Sequence, residues 1–336
     1  MHAEPKINLT SSELNNLWSN YMNDTLAISV FNHYLQHVDD NEIRSILEFA
    51  LQLSESHVQK ITEIFKKEQV AIPLGFTEKD VNLQAPRLYN DMFYLTYVYN
   101  QAKLGLHSYT VALSTSARAD IRQFYSENNL TSTELFNRSS DLLLKKGIFL
   151  RAPFIPMPEK VEFVQHQGFL SGFGDKRPLN SIEISNIFFN LIRNITGVTQ
   201  LIGFSQVAQS QEVRDYMVRG KEIAQKHVQI FNTLLTENDL PAPNLWDTPR
   251  DSSVVTFSDK LIMSHVEAMN AAGIGYYGVS LGSSPRKDLG VDYSRLMLEI
   301  AQYAEDGANI MIKNGWMEKP PQAPDRQAIA KNKNER

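Results

Sequence analysis

The chain repeats itself, and this limits its folds more than any other feature. Ser54 to Gln59, with His57 inside, opens an amphipathic run that ends at Pro73; Ala224 to Gln229, with His227 in the same place, opens a similar run ending at Pro243. Histidines and prolines alike stand 170 positions apart. One folding unit has therefore been copied, and 336 residues leave room for two units of ordinary size, each expected to close around its own interior.

Within each copy the apolar residues recur at helical spacing. Thr10 and Glu13 form a capping-box pair, after which Leu14, Leu17, Trp18, Tyr21 and Met22 line one face. The break at Val38 to Asn41 allows a tight turn, and a second helix follows to about Glu68 along Ile43, Leu47, Ala50, Leu51, Val58, Ile61 and Phe65. Gln69 to Leu88 lacks periodicity and carries Pro73, Gly75 and Pro86, so it is expected to cross the length of the unit. Helices from about Tyr89 to Thr115 and on to Lys146 complete the copy, with Gly147 as a C-terminal cap.

The second copy repeats this order from the Asn180/Glu183 capping pair to Lys313 and Gly315, with a crossover two residues shorter; Arg118 and Asp120 recur as Arg286 and Asp288, and Gly105 as Gly273. Short turn, long crossover, short turn is the ferritin-like order. The fold class expected is all-α: a tandem duplication of a ferritin-like four-helix bundle, with bundles at 8–148 and 179–318. Residues 149–178 form a Pro/Gly-containing linker and 319–336 a fraying tail. The linker's apolar residues Phe154, Ile155, Phe163 and Phe169 are expected to pack against the bundles.

Composition narrows the function. A formal charge of −5 gives no basic field for nucleic acid or an anionic membrane. No apolar stretch approaches the roughly 20 residues of a membrane span, and Met1 to Lys6 lacks the apolar core of a signal peptide. With no cysteine, disulfides, thiolate metal sites and thiol catalysis are excluded, and a cytoplasmic location is expected.

A ferritin-like bundle raises the question of a di-iron site, which needs Glu-x-x-His pairs. None of His2, His33, His37, His57, His107, His166, His227 or His265 has glutamate three residues before it. No phosphate-loop, nucleophile-elbow or zinc spacing occurs either. Counting along the helices places His57 near Asn20, Gly105 and Thr131, and His227 near Asn190, Gly273 and Met297 or Glu299. Two readings stand. Asn and His hydrogen-bond in each core and fix register, the glycine allowing close approach; or the same residues form a ligand site, with His227 and Glu299 as candidate metal ligands. His33 and His37 are a second, weaker chelating pair, four residues apart on one helix face.

The stretches Ala85 to Asp91, Leu113 to Arg118, Ala304 to Ile310 and Asn314 to Trp316 are similar to those of a family of duplicated proteins from spore-forming Bacillus-type bacteria, catalogued as a domain of unknown function. The resemblance spans roughly residues 8 to 322. It implies ferritin-like or coat-F-like helical bundles and a spore-former origin, and some members carry a spore-coat label. It supplies no activity, cofactor or catalytic residue. The leading expectation is thus a non-enzymatic structural or interaction protein, spore-associated if the label applies, that binds protein partners or itself but neither nucleic acid nor membrane. The alternative is a metal- or small-ligand-binding bundle, with oxidase or hydrolase chemistry as its enzymatic form.

Overall fold

A computed structural model describes residues 7–174, 176–243 and 248–331; the N-terminal stretch Met1 to Lys6 and the last five residues of the tail lie outside them. The described residues form nine α-helices and no strand. The first half supplies α1 (Ser11–His37), α2 (Asn41–Glu68), α3 (Asp91–Ser114) and α4 (Ala119–Lys145). The second supplies α5 (Ser181–Val207), α6 (Gln211–Thr236), α7 (Asp259–Ser283) and α8 (Lys287–Lys313). A six-residue exposed helix, α9 (Arg326–Lys331), lies in the tail where fraying was expected. In each half the hairpins α1–α2 and α3–α4, or α5–α6 and α7–α8, make the main contacts.

The helix ends follow from named side chains. Thr10 and Glu13 cap α1, and Asn180 and Glu183 cap α5, each with both bonds of the capping box. Glu13 then accepts from the amides of Ala117 and Arg118, and Glu183 from that of Arg286, which ties α1 to the start of α4 and α5 to the start of α8. Arg118 pairs with Asp120 and Glu68, and Arg286 with Asp288. Gly147 and Gly315 end α4 and α8 in the left-handed region, at φ 70° and 68°.

The expectation that each half closes around its own interior is corrected. One apolar cluster runs through both halves, and a smaller one holds the far end of the first half around Leu17, Ile61, Phe65, Ile121 and Tyr125. A buried polar layer separates the two: Asn20 and Asp24 on α1, Ser54 and His57 on α2, Asn128 and Ser132 on α4. The second half carries Ala224, Leu296 and Ile300 at the positions of Ser54, Asn128 and Ser132, and its core is continuous.

The halves meet through reciprocal contacts. The Asn82 amide donates to the Thr256 carbonyl at 2.8 Å, and the Arg250 amide donates to the Leu88 carbonyl at 2.8 Å. With an offset of 168, positions 82 and 250 are equivalent, as are 88 and 256. Tyr97 and His265 are equivalent to each other, and they touch, hydroxyl to Nε2, at 2.8 Å. Phe257 packs edge-on against His33 at 5.4 Å. Its counterpart Tyr89 lies against Gly203, the counterpart of His33, and donates to the Gln200 carbonyl at 2.8 Å. Residue i meeting j while j′ meets i′ is the signature of a two-fold interface, here inside one chain.

The linker departs from expectation. Phe154 is 83% exposed and Phe163 80%; Met157, Val161 and Val164 are exposed as well. Of the four expected anchors Ile155 is exposed too, and Phe169 is held under the Arg177 guanidinium at 3.9 Å, while Phe149 and Leu150 at the linker's start pack against the core. Prolines at 153, 156 and 158 keep this segment extended and deprive it of amide donors, so it cannot fold back as a helix.

Candidate functional site

The polar residues of the second half converge through four helices. α6 brings His227, fully buried, between Tyr277 of α7 and Glu299 of α8. The His227 Nδ1 lies 2.9 Å from the Tyr277 hydroxyl and Nε2 lies 3.1 Å from Glu299 Oε2. Asn194 of α5 donates to the same hydroxyl at 2.8 Å, and Lys226 donates to Glu299 at 2.8 Å. Every donor has an acceptor with neutral histidine protonated on Nε2: Asn194 to Tyr277, Tyr277 to His227, His227 to Glu299.

Electrostatics favour that state. Burial lowers the His227 pKa, and Glu299 only partly restores it. Burial pushes the Glu299 carboxyl up, but the Lys226 and His227 hydrogen bonds outweigh it and hold it below its ordinary value. Tyr277 is raised by burial and stays a phenol.

The first half repeats the theme with its carboxylate moved. Asp24, the counterpart of Asn194, accepts from His57 Nδ1 at 3.2 Å and from the Asn20 amide. Tyr109, the counterpart of Tyr277, lies 3.3 Å from the same Nδ1. Thr131 stands where the second half has Glu299. Each copy thus gives its histidine one tyrosine and one carboxylate, from α1 in one case and α8 in the other.

Asn20 and Asn190 do not bond the histidines directly, contrary to the core-bond reading. Asn20 reaches His57 only through Asp24, and Asn190 donates to Ser280 at 2.8 Å. An α-helix turns 100° per residue, and the nearer position is one turn further on, at 24 and 194. Gly105 allows Ser132 to approach: a Cβ there would stand 2.7 Å from the Ser132 hydroxyl. Gly273 instead lines a cavity of about 70 Å³ beside His227, partly open to solvent and walled by Arg193, Gly197, Met269, Asn270 and Ile300 among others.

His227 and Glu299 give two ligands, both engaged, and the Lys226 ammonium already sits on the carboxylate. Among the described residues no group of three or more His, Asp or Glu converges. His33 and His37 do not form an exposed chelate. His33 is fully buried with neither ring nitrogen in a hydrogen bond, and His37 Nε2 bonds the Ala85 carbonyl at 2.9 Å. Tyr109, Tyr277, Asp24 and Asn194 were missed; the recurrence of tyrosine at 109 and 277, 168 positions apart, was a signal for the first two, while Asp24 and Asn194 differ between the copies.

The family described as Protein of unknown function (DUF3231) matches twice, over residues 2–161 and 167–329. None of the curated proteins compared matches the chain. A solved structure from Bacillus halodurans, described provisionally as a spore coat protein, is similar at 18% identity and a TM-score of 0.41. The likeness covers 44% of this chain and 98% of that one. No helix among the described residues is long and apolar enough to cross a membrane.

Proposed function

The chain belongs to the DUF3231 family through both of its halves, and on that footing we propose that it is a non-enzymatic interaction protein. In this reading two ferritin-like four-helix bundles are fused as an internal pair, and the segment between them is offered to a protein partner. The observation that carries it is the exposure of Phe154, Met157, Val161 and Phe163 along an extended, proline-fixed stretch. Clustered exposed apolar side chains mark association surfaces. An extended, pre-stiffened segment also loses little entropy when it docks. The polar groups inside the bodies are largely committed to one another, which suits a scaffold. Spore association rests on the family label alone.

The double variant Phe154→Ser, Phe163→Ser tests the reading. Wild type and variant should melt at the same temperature, since both side chains are exposed. Immobilised wild type should retain from a spore-former extract a protein that the variant does not. Equal retention by both contradicts the reading, as does substrate turnover by purified protein that is lost on His227→Ala.

The cavity beside His227 favours a second reading, in which the second half also holds a small ligand. Its walls are mostly apolar with a few convergent polar groups, as small-molecule sites are.

A further inference from the structure

The cavity of the second half is lined by one buried donor with nothing to donate to, and by a guanidinium in no ion pair. Arg193 of α5 lines it, stacked on Tyr276 at 4.5 Å, with Nη1 about 4.0 Å from where a Cβ on Gly273 would stand. No carboxylate among the described residues comes within ion-pair distance of this guanidinium, and no aspartate or glutamate lines the cavity. Burial lowers its pKa, and the Lys103 ammonium, itself brought down to about 8 by burial and by Arg193, adds a second positive charge nearby. Opposite, Asn270 of α7 has a buried Nδ2 without an acceptor. An unsatisfied buried donor is costly, and one lining the same cavity as a guanidinium without a counter-ion defines what would relieve it.

The first half supplies the internal control. At the positions of Gly197, Gly220 and Leu201 it has the larger Ala27, Ala50 and Phe31. At the positions of Arg193 and Asn270 it has Asn23 and Ala102. The smaller wall residues and the guanidinium therefore appear together, in the second copy.

We propose that this cavity binds a short-chain carboxylate, Arg193 and Asn270 donating to its oxygens while Val266, Met269 and Ile300 cover its alkyl tail. The inference rests on the ligand-binding reading of the cavity. A planar two-oxygen anion matches the guanidinium fork. At roughly 10–15 Å³ for each water-sized group, 70 Å³ admits about five or six non-hydrogen atoms, the size of propionate or butyrate.

Full-length protein is titrated with sodium propionate against equal sodium chloride, and separately with propionamide, by calorimetry and by the shift of the Met269 methyl signal. Propionate should saturate and bind at least tenfold tighter than propionamide. Arg193→Met should lose tenfold or more of that affinity without lowering the melting temperature, since the guanidinium is in no ion pair and methionine keeps the packing of its stem. Asn270→Leu should lose several-fold, and it carries the test if Arg193→Met does not fold. Equal binding of propionate and propionamide overturns the inference but leaves the ligand-binding reading standing. No binding of either overturns both. Undiminished propionate binding in both variants overturns the inference.

Discussion

Gly203→Val is expected to weaken the seam between the halves by about 3 kcal/mol, the sum of an overpacked side chain and a lost hydrogen bond. A Cβ at this position would stand 2.2 Å from the Tyr89 hydroxyl oxygen. That oxygen cannot swing away. The Tyr89 ring is fully buried, stacked on Phe93 at 4.1 Å and edge-on to Tyr34, and its hydroxyl donates to the Gln200 carbonyl. With an unfolding entropy of about 2.1 cal/mol/K per residue, a chain of 336 residues shifts by about 1.4 °C per kcal/mol, and the melting temperature should fall by roughly 4 °C. Tyr89→Leu in the same background should recover part of the loss by removing the colliding atom. A melting temperature unchanged by Gly203→Val would mean that Tyr89 does not occupy this place.

The second large effect is a loss of stability on mild acidification. His265 is buried between the Tyr97 hydroxyl and the Gln200 amide, and His33 is buried against Phe257 and His37. Burial lowers each from 6.5 to about 4. The unfolded chain therefore takes up these protons first as pH falls, so the contribution is complete above pH 6.5 and is lost between 6.5 and about 4. Each tenfold difference in proton affinity between folded and unfolded chain is worth about 1.4 kcal/mol, so each histidine accounts for about 3 kcal/mol. Glu267 and Asp292, raised by burial, offset part of this. Carboxylates held low, such as Glu13 and Asp288, release their share only at still lower pH. Denaturant midpoints at pH 7 and pH 5 should differ clearly for wild type. They should differ much less for the double variant His33→Phe, His265→Gln. A wild-type midpoint that is flat over this range would contradict buried, neutral histidines at the seam.

Most of the helix order was readable because the copies reinforce each other. A capping box at Thr10 is one coincidence of four residues; a second at Asn180, 170 positions on, makes it a boundary. The site was half readable. His57 and His227 announced themselves by recurrence, but their tyrosines lie on α3 and α7, which are apolar around most of their circumference because they face both their own half and the other. A tyrosine in such a helix looks like core. The shared core was not readable at all. Periodicity says which face of a helix is apolar and is silent about whether the covering helix comes from the same half. The linker failed for a similar reason: Phe154 and Phe163 look like anchors by composition, yet both are exposed on a stretch that prolines at 153, 156 and 158 keep extended.

A two-fold seam, rather than the linker, holds the two halves of the chain together. A protease site placed between Glu159 and Lys160, both exposed, allows the linker of the folded protein to be cut. Size-exclusion chromatography after complete cleavage should show one species at the 38.2 kDa of the intact chain. Separation into two folded halves would contradict the seam, and the account with it.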